Sequence, residues 1–252
     1  MRNYNSTYFL YDLSEILKEK YGVSSNSAVL ICNGFLRAFR KCPENVNMDL
    51  DEWRHLLWSE ALGVEYQNLA DEIYPTWLQL RYTYLAITPE IKLLLNKLHH
   101  NFLLGLITNG PSNAQWEKIN ILKLREYFDV ILVSGDLPWE KPNPRVFQKA
   151  CECLGVEPRK CIMVGDKIET DILGGIQAKL GGTVWVPLNG ADIESNRNYP
   201  DYIVQSVIDL PSLLPKHPTV PVFRRKVDFK LYKGIMSMPD LEDYCSNSSD
   251  GS

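Results

Sequence analysis

Four short, almost uninterrupted apolar runs lie between residues 102 and 187: FLLGLIT (102–108), FDVILVSG (128–135), CIMVG (161–165) and GTVWVP (182–187). A strand with one wet face alternates apolar and polar residues. Runs that are apolar throughout suit a parallel sheet covered on both faces. Helical segments near 112–124, 144–154 and 169–179 separate these runs. That rhythm predicts an α/β, doubly wound core. DYIVQSVIDLPSLL (201–214) adds a short strand and a helix.

The first third reads differently. STYFLYDLSEILKEKYG (6–22) carries Tyr8, Leu10, Leu13, Ile16 and Leu17 at helical spacing. Three more helical segments follow: SNSAVLICNGFLRAFRKC, DLDEWRHLLWSEALG and EYQNLADEIYPTWLQLRYTYL. Asp49 or Asp51 is expected to cap the third, and Pro75 to kink or restart the fourth. The chain thus divides into a helical unit at 6–88, an α/β unit at 89–215, and a segment at 216–252. That last segment ends in a Ser, Asn, Asp and Gly run and is expected to be disordered.

Composition excludes several classes. Apolar residues make up 45% of the 252 and charged residues 23%, an ordinary balance for a globular protein. A net charge of −4 leaves no basic footprint for nucleic acid. No apolar stretch approaches the roughly 20 residues of a membrane span, and MRNYNSTYFLYDLS lacks the layout of a signal peptide. The six cysteines (32, 42, 151, 153, 161, 245) form no CxxC pair, so free thiols and a reducing, cytoplasmic setting are expected.

In open α/β sheets, ligands sit at the carboxyl ends of the strands. The first such end delivers Thr108-Asn109-Gly110. A hydroxyl and backbone N–H groups at a helix start suit an anionic oxygen, although Asn-Gly also serves an ordinary turn. Lys141, in a proline-rich loop before a helix, offers a point charge for a phosphoryl oxygen, although loop lysines are usually solvated. The third end delivers Gly165-Asp166, with Glu169 and Asp171 following. Magnesium takes one or two protein carboxylates plus waters and substrate oxygens. Asp166 and Thr170 could instead cap the next helix, and Asp171 could bond loop amides.

The order of these features resembles the haloacid dehalogenase superfamily of phosphohydrolases. LLGLITNG looks like its second motif, EKPNPRVF its third and IMVGDKIETDILGG its fourth. The pattern is similar in particular to the N-acylneuraminate-9-phosphatase family, through TNG, EKP, the Gly-Asp motif and TVWV, over about residues 8–215. Lys167 stands where that family more often has a small polar residue. The resemblance implies a Rossmann-like parallel sheet with a helical cap domain and magnesium-dependent hydrolysis of a phosphorylated sugar acid. It implies that Thr108, Asn109, Gly110 and Lys141 bind the phosphoryl group, with Lys141 and Thr108 serving catalysis. Asp166 and Asp171 would serve the metal, Asp171 by supporting the loop or through water. Other sugar phosphates, phosphoglycolate and nucleotides are alternative substrates, and a non-catalytic binding or regulatory module is the alternative outside enzymes.

The family's first motif, a strand carrying Asp-x-Asp whose first aspartate attacks phosphorus, has no counterpart here. The nearest residue is Asp12, with Ser14 two positions on, and it falls inside the first helix. The missing strand is central in the fold, between those ending at Thr108 and Asp166. Its loss predicts an unfilled row of backbone hydrogen bonds there. The alternating KVDFKLY (226–232) suits an edge strand better than this buried place. Two expectations follow: a chain lacking its first segment, which is favoured, or a genuine short form without activity.

Overall fold

The computed structural model describes residues 8–41, 48–188, 190–197 and 199–215. The segment 216–252, with KVDFKLY, lies outside these residues, as do Cys42 and Cys245.

Four helices come first: α1 (Tyr8–Tyr21), α2 (Ser25–Phe39), α3 (Leu50–Tyr66) and α4 (Ala70–Leu85). Ser24 and Asp49 cap α2 and α3 by accepting backbone N–H groups of Ser27 and Asp51. Gly63, at φ 67°, interrupts α3. That left-handed conformation is open to glycine at little cost. The expected break at Pro75 does not occur, since α4 runs through it. Proline leaves only the Asp71 carbonyl without its helical donor, and Asp71 is solvent-exposed. The helices share one core in which Leu13, Leu17, Phe35, Trp58, Ile73 and Trp77 are fully buried.

The α/β part follows as α5 (Pro89–Asn101), β1 (Gly105–Thr108), α6 (Ser112–Ile121), β2 (Val130–Val133), α7 (Pro144–Leu154), β3 (Ile162–Gly165), α8 (Leu173–Gln177), β4 (Gly182–Trp185), α9 (Ile193–Asn196) and β5 (Tyr202–Ile203). All strand pairs are parallel. The apolar runs thus become strands and the segments between them helices, as their patterning requires. The strands form two sheets, β1-β2 and β3-β4-β5. Among the described residues no strand joins β1 to β3.

Burial records that break. Every residue of β2 and β4 is buried, whereas β1 and β3 are half-buried and begin on exposed residues. Ile107 of β1 and Met163 of β3 nevertheless contribute to one apolar cluster with Phe147 of α7, so the two sheets are held side by side. The strand ends that carry the candidate residues therefore open on one rim.

Candidate functional site

Lys141 defines the site. Its ammonium lies 2.8 Å from Asp171 Oδ1 and donates to the Ile107 carbonyl at 3.0 Å. One ammonium thus ties β1, beside Thr108, to the turn after β3. Asn109 fixes the Lys141 backbone on both sides. Its Nδ2 donates to the Lys141 carbonyl at 2.9 Å, and its Oδ1 accepts the Lys141 N–H at 3.0 Å. The Asn109 amide is therefore a clamp on the lysine loop.

Asp171 reaches the ammonium from a five-residue π-helical turn, Ile168–Ile172, that leads into α8. Single π turns of this kind recur at functional sites. The carboxylate is buried, and it also accepts the Lys167 N–H at 3.2 Å and the Thr170 hydroxyl at 3.3 Å. Gly165 permits this approach, because a Cβ there would overlap the Asp171 side chain. Lys167, the departure from the family pattern, thus contributes its backbone to the turn, and its side chain is exposed.

Asp166 differs from Asp171. It is exposed at the end of β3, and its backbone carbonyl accepts Trp185 Nε1–H at 2.9 Å. No hydrogen bond or ion pair to its carboxylate occurs among the described residues. No group of three His, Cys, Asp or Glu side chains able to hold a metal occurs among them either. Asp166 fits a magnesium ion that takes one protein carboxylate and completes its shell with water and substrate oxygens. Asp171 is committed to Lys141.

The first strand end also differs from expectation. The Gly110 N–H, expected to be free for an anion, donates to Ser134 Oγ at 2.9 Å. The loops after β1 and β2 pack against each other here, which consumes that donor. Thr108 donates to Gln115 Oε1 at 3.0 Å, and Lys118 Nζ reaches the same oxygen at 3.1 Å. The reading from sequence missed Gln115 and Ser134, for which a single sequence carries no signal. It also missed Arg54, whose signal was present: a charged residue within the apolar stripe Leu50, Trp53, Leu57, Trp58.

Arg54 lies 1% exposed on α3 and holds Glu117 of α6 through both terminal nitrogens, at 2.8 and 2.5 Å. This bidentate pair docks the helical unit on the α/β unit. Burial alone would lower the Arg54 pKa, but the Glu117 bonds outweigh it and keep the guanidinium charged. Burial would raise the Glu117 carboxyl, and the Arg54 bonds bring it below its usual range.

Asp49 and Asp51, expected as helix caps, also have Asp-x-Asp spacing, but they stand at the start of α3 and not on a strand. Asp49 caps α3, while Asp51 accepts from Tyr74 Oη and pairs with Arg54. Asp12 lies within α1 and accepts from Tyr84 Oη. Neither site is at the rim.

Residues 15–179 match the haloacid dehalogenase-like hydrolase family. The chain belongs to this family. Human N-acylneuraminate-9-phosphatase is 33% identical over 210 residues, covering 81% of this chain and 85% of that protein. The pyrimidine 5'-nucleotidase YjjG of Escherichia coli is 35% identical over 68% of this chain and 74% of its own length. Among solved structures, a haloacid dehalogenase phosphatase from Thermococcus onnurineus superposes with a TM-score of 0.54 at 26% identity, covering 84% of this chain and 90% of that one. This haloacid dehalogenase-like hydrolase accordingly has phosphatase relatives across most of its length. No helix among its described residues is long and apolar enough to cross a membrane.

Proposed function

We propose that the rim binds a phosphomonoester together with magnesium, and that the reaction it serves is hydrolysis of a phosphorylated sugar acid, N-acylneuraminate 9-phosphate first among the candidates. The single observation that carries this reading is the position of Lys141, bonded beside Thr108 on one side and to the turn after Asp166 on the other. In it the Lys141 ammonium and the Thr108 hydroxyl hold phosphoryl oxygens, Asn109 and Asp171 position the lysine, and Asp166 holds the metal. Magnesium, when bound, offsets negative charge on the phosphoryl group. The substrate comes from the N-acylneuraminate-9-phosphatase likeness, with other small phosphomonoesters as alternatives. A cytoplasmic place in sialic acid biosynthesis belongs to the same reading.

One observation favours a second reading, in which the site binds phosphate esters without turnover. The aspartates that come closest in sequence to the family's first motif, Asp12 and the pair Asp49 and Asp51, are hydrogen-bonded within the helical unit. The assay that separates the two measures phosphate release with magnesium, by this chain and by the chain joined to a strand bearing Asp-x-Asp. Turnover by the joined form, abolished by Asp166→Asn, supports the hydrolase reading. Binding without turnover in both forms supports the second. Turnover by the chain alone that survives Asp166→Asn contradicts the metal assignment.

A further inference from the structure

The seam between the helical unit and α6 gathers more positive charge than its one half-buried carboxylate, Glu117, neutralises. Glu117 sits among Arg54, Arg81 and Lys118, close enough that each cation alters the ionisation of its neighbours. Arg54 is committed to Glu117, and its second carboxylate, Asp51, is mostly solvated and 3.5 Å away. Arg81 and Lys118 have no carboxylate of their own among the described residues. Arg81 rests its guanidinium over Phe39 and Trp77, at 4.9 and 5.5 Å from the ring centres. Its Nε is buried without a hydrogen-bond partner. The Lys118 ammonium donates to the Gln115 amide oxygen. Burial lowers the pKa of both Arg81 and Lys118; the Arg54 charge adds to the lowering at Arg81, and Arg81 and Arg54 add to it at Lys118, while Glu117 opposes both.

Half-buried cations without carboxylates are unfavourable unless something negative completes them. The position of this surplus says what completes it. Lys118 and Thr108 share one acceptor, Gln115 Oε1, so the surplus begins one side chain away from the proposed phosphoryl site. We propose that Arg81 and Lys118 form a second anion subsite, which takes the carboxylate of the phosphorylated substrate while its phosphate lies at Thr108 and Lys141. A planar guanidinium fork matches a carboxylate, and the aromatic rings beneath it hold the fork in place. The inference rests on the phosphomonoester reading and deepens it. It makes the substrate a sugar acid and assigns its recognition to the seam that Arg54 and Glu117 hold closed.

The test is calorimetric titration of the full chain with magnesium, in wild type, Arg81→Gln and Lys118→Gln. Four probes are used: inorganic phosphate, N-acetylneuraminate 9-phosphate, the C1 methyl ester of that compound, and unphosphorylated N-acetylneuraminate. The wild type is expected to bind the free acid about tenfold or more tighter than the methyl ester, the scale of a charge-assisted hydrogen bond. Each substitution is expected to erase that preference while phosphate binding stays as in wild type. Equal binding of acid and methyl ester by the wild type, or a preference that survives both substitutions, overturns the subsite. Absence of binding by phosphate and both phosphorylated compounds overturns the phosphomonoester reading instead. Unphosphorylated N-acetylneuraminate then decides the subsite: binding lost in the variants upholds it, and no binding overturns it. Should Arg81→Gln fail to fold, Lys118→Gln on α6 carries the comparison.

Discussion

The helical unit and the α/β unit are stabilised in different ways. In the first, four helices close on a single core, with Phe35 stacked on Trp58 at 3.8 Å between ring centres and Trp77 set edge-on to both. In the second, apolar burial is divided among separate clusters, and among the described residues no strand joins β1 to β3. Between β1 and the turn after β3, the Lys141 ammonium bonds a carbonyl and a carboxylate beside the apolar cluster that Ile107, Met163 and Phe147 share. The proposed site stands between these two sheets, where its geometry depends on contacts that can be removed singly.

The largest expected effect belongs to the helical unit. Trp58→Ala removes a fully buried ring and is expected to lower stability by about 3–5 kcal/mol, read as a shifted urea midpoint. A shift below 1 kcal/mol would show that this core is not the main store of stability. Next comes the Lys141 contact. Lys141→Met leaves Asp171 buried without its cation and is expected to cost about 3 kcal/mol, much of it restored by adding Asp171→Asn. No restoration in the double variant would mean that the pair does not act as a unit. Gly165→Ala forces a Cβ against Asp171, with an expected cost of about 1–3 kcal/mol. It should also loosen the Lys141 contact, visible as faster amide exchange in 165–172.

The smallest effect concerns the seam. The folded-state pKa of Glu117 is lowered, so its contribution is present above the unfolded carboxyl value and lost as pH falls through the folded one. Glu117→Gln is expected to melt below wild type at pH 7, the difference shrinking as pH falls below about 4. A constant difference across that range would show that ionisation of Glu117 does not dock the two units.

Most of this fold was legible because strand and helix periods differ and the chain switches cleanly between them near residue 102. The core face of α1 lies where its apolar spacing puts it, with Leu10, Leu13 and Leu17 buried. Strand-end logic and motif order put Thr108, Lys141 and Asp166 at three loops of one rim, and among the described residues Lys141 bonds next to Thr108 and to the turn after Asp166. Other features were not legible. Proline chemistry predicts a break at Pro75, yet one exposed carbonyl is a small loss against the packing of Ile73 and Trp77. The inward roles of Asn109 and Gly110 depend on loops brought together from residues 24–32 positions apart, which no local pattern records.

The account depends most on Lys141 gripping a phosphoryl group between the two sheets. Phosphorus-31 line broadening of inorganic phosphate, titrated with the chain and magnesium, measures that grip directly. The account predicts broadening with wild type, lost in Lys141→Met and retained in Glu117→Gln. Equal broadening by wild type and Lys141→Met would contradict it.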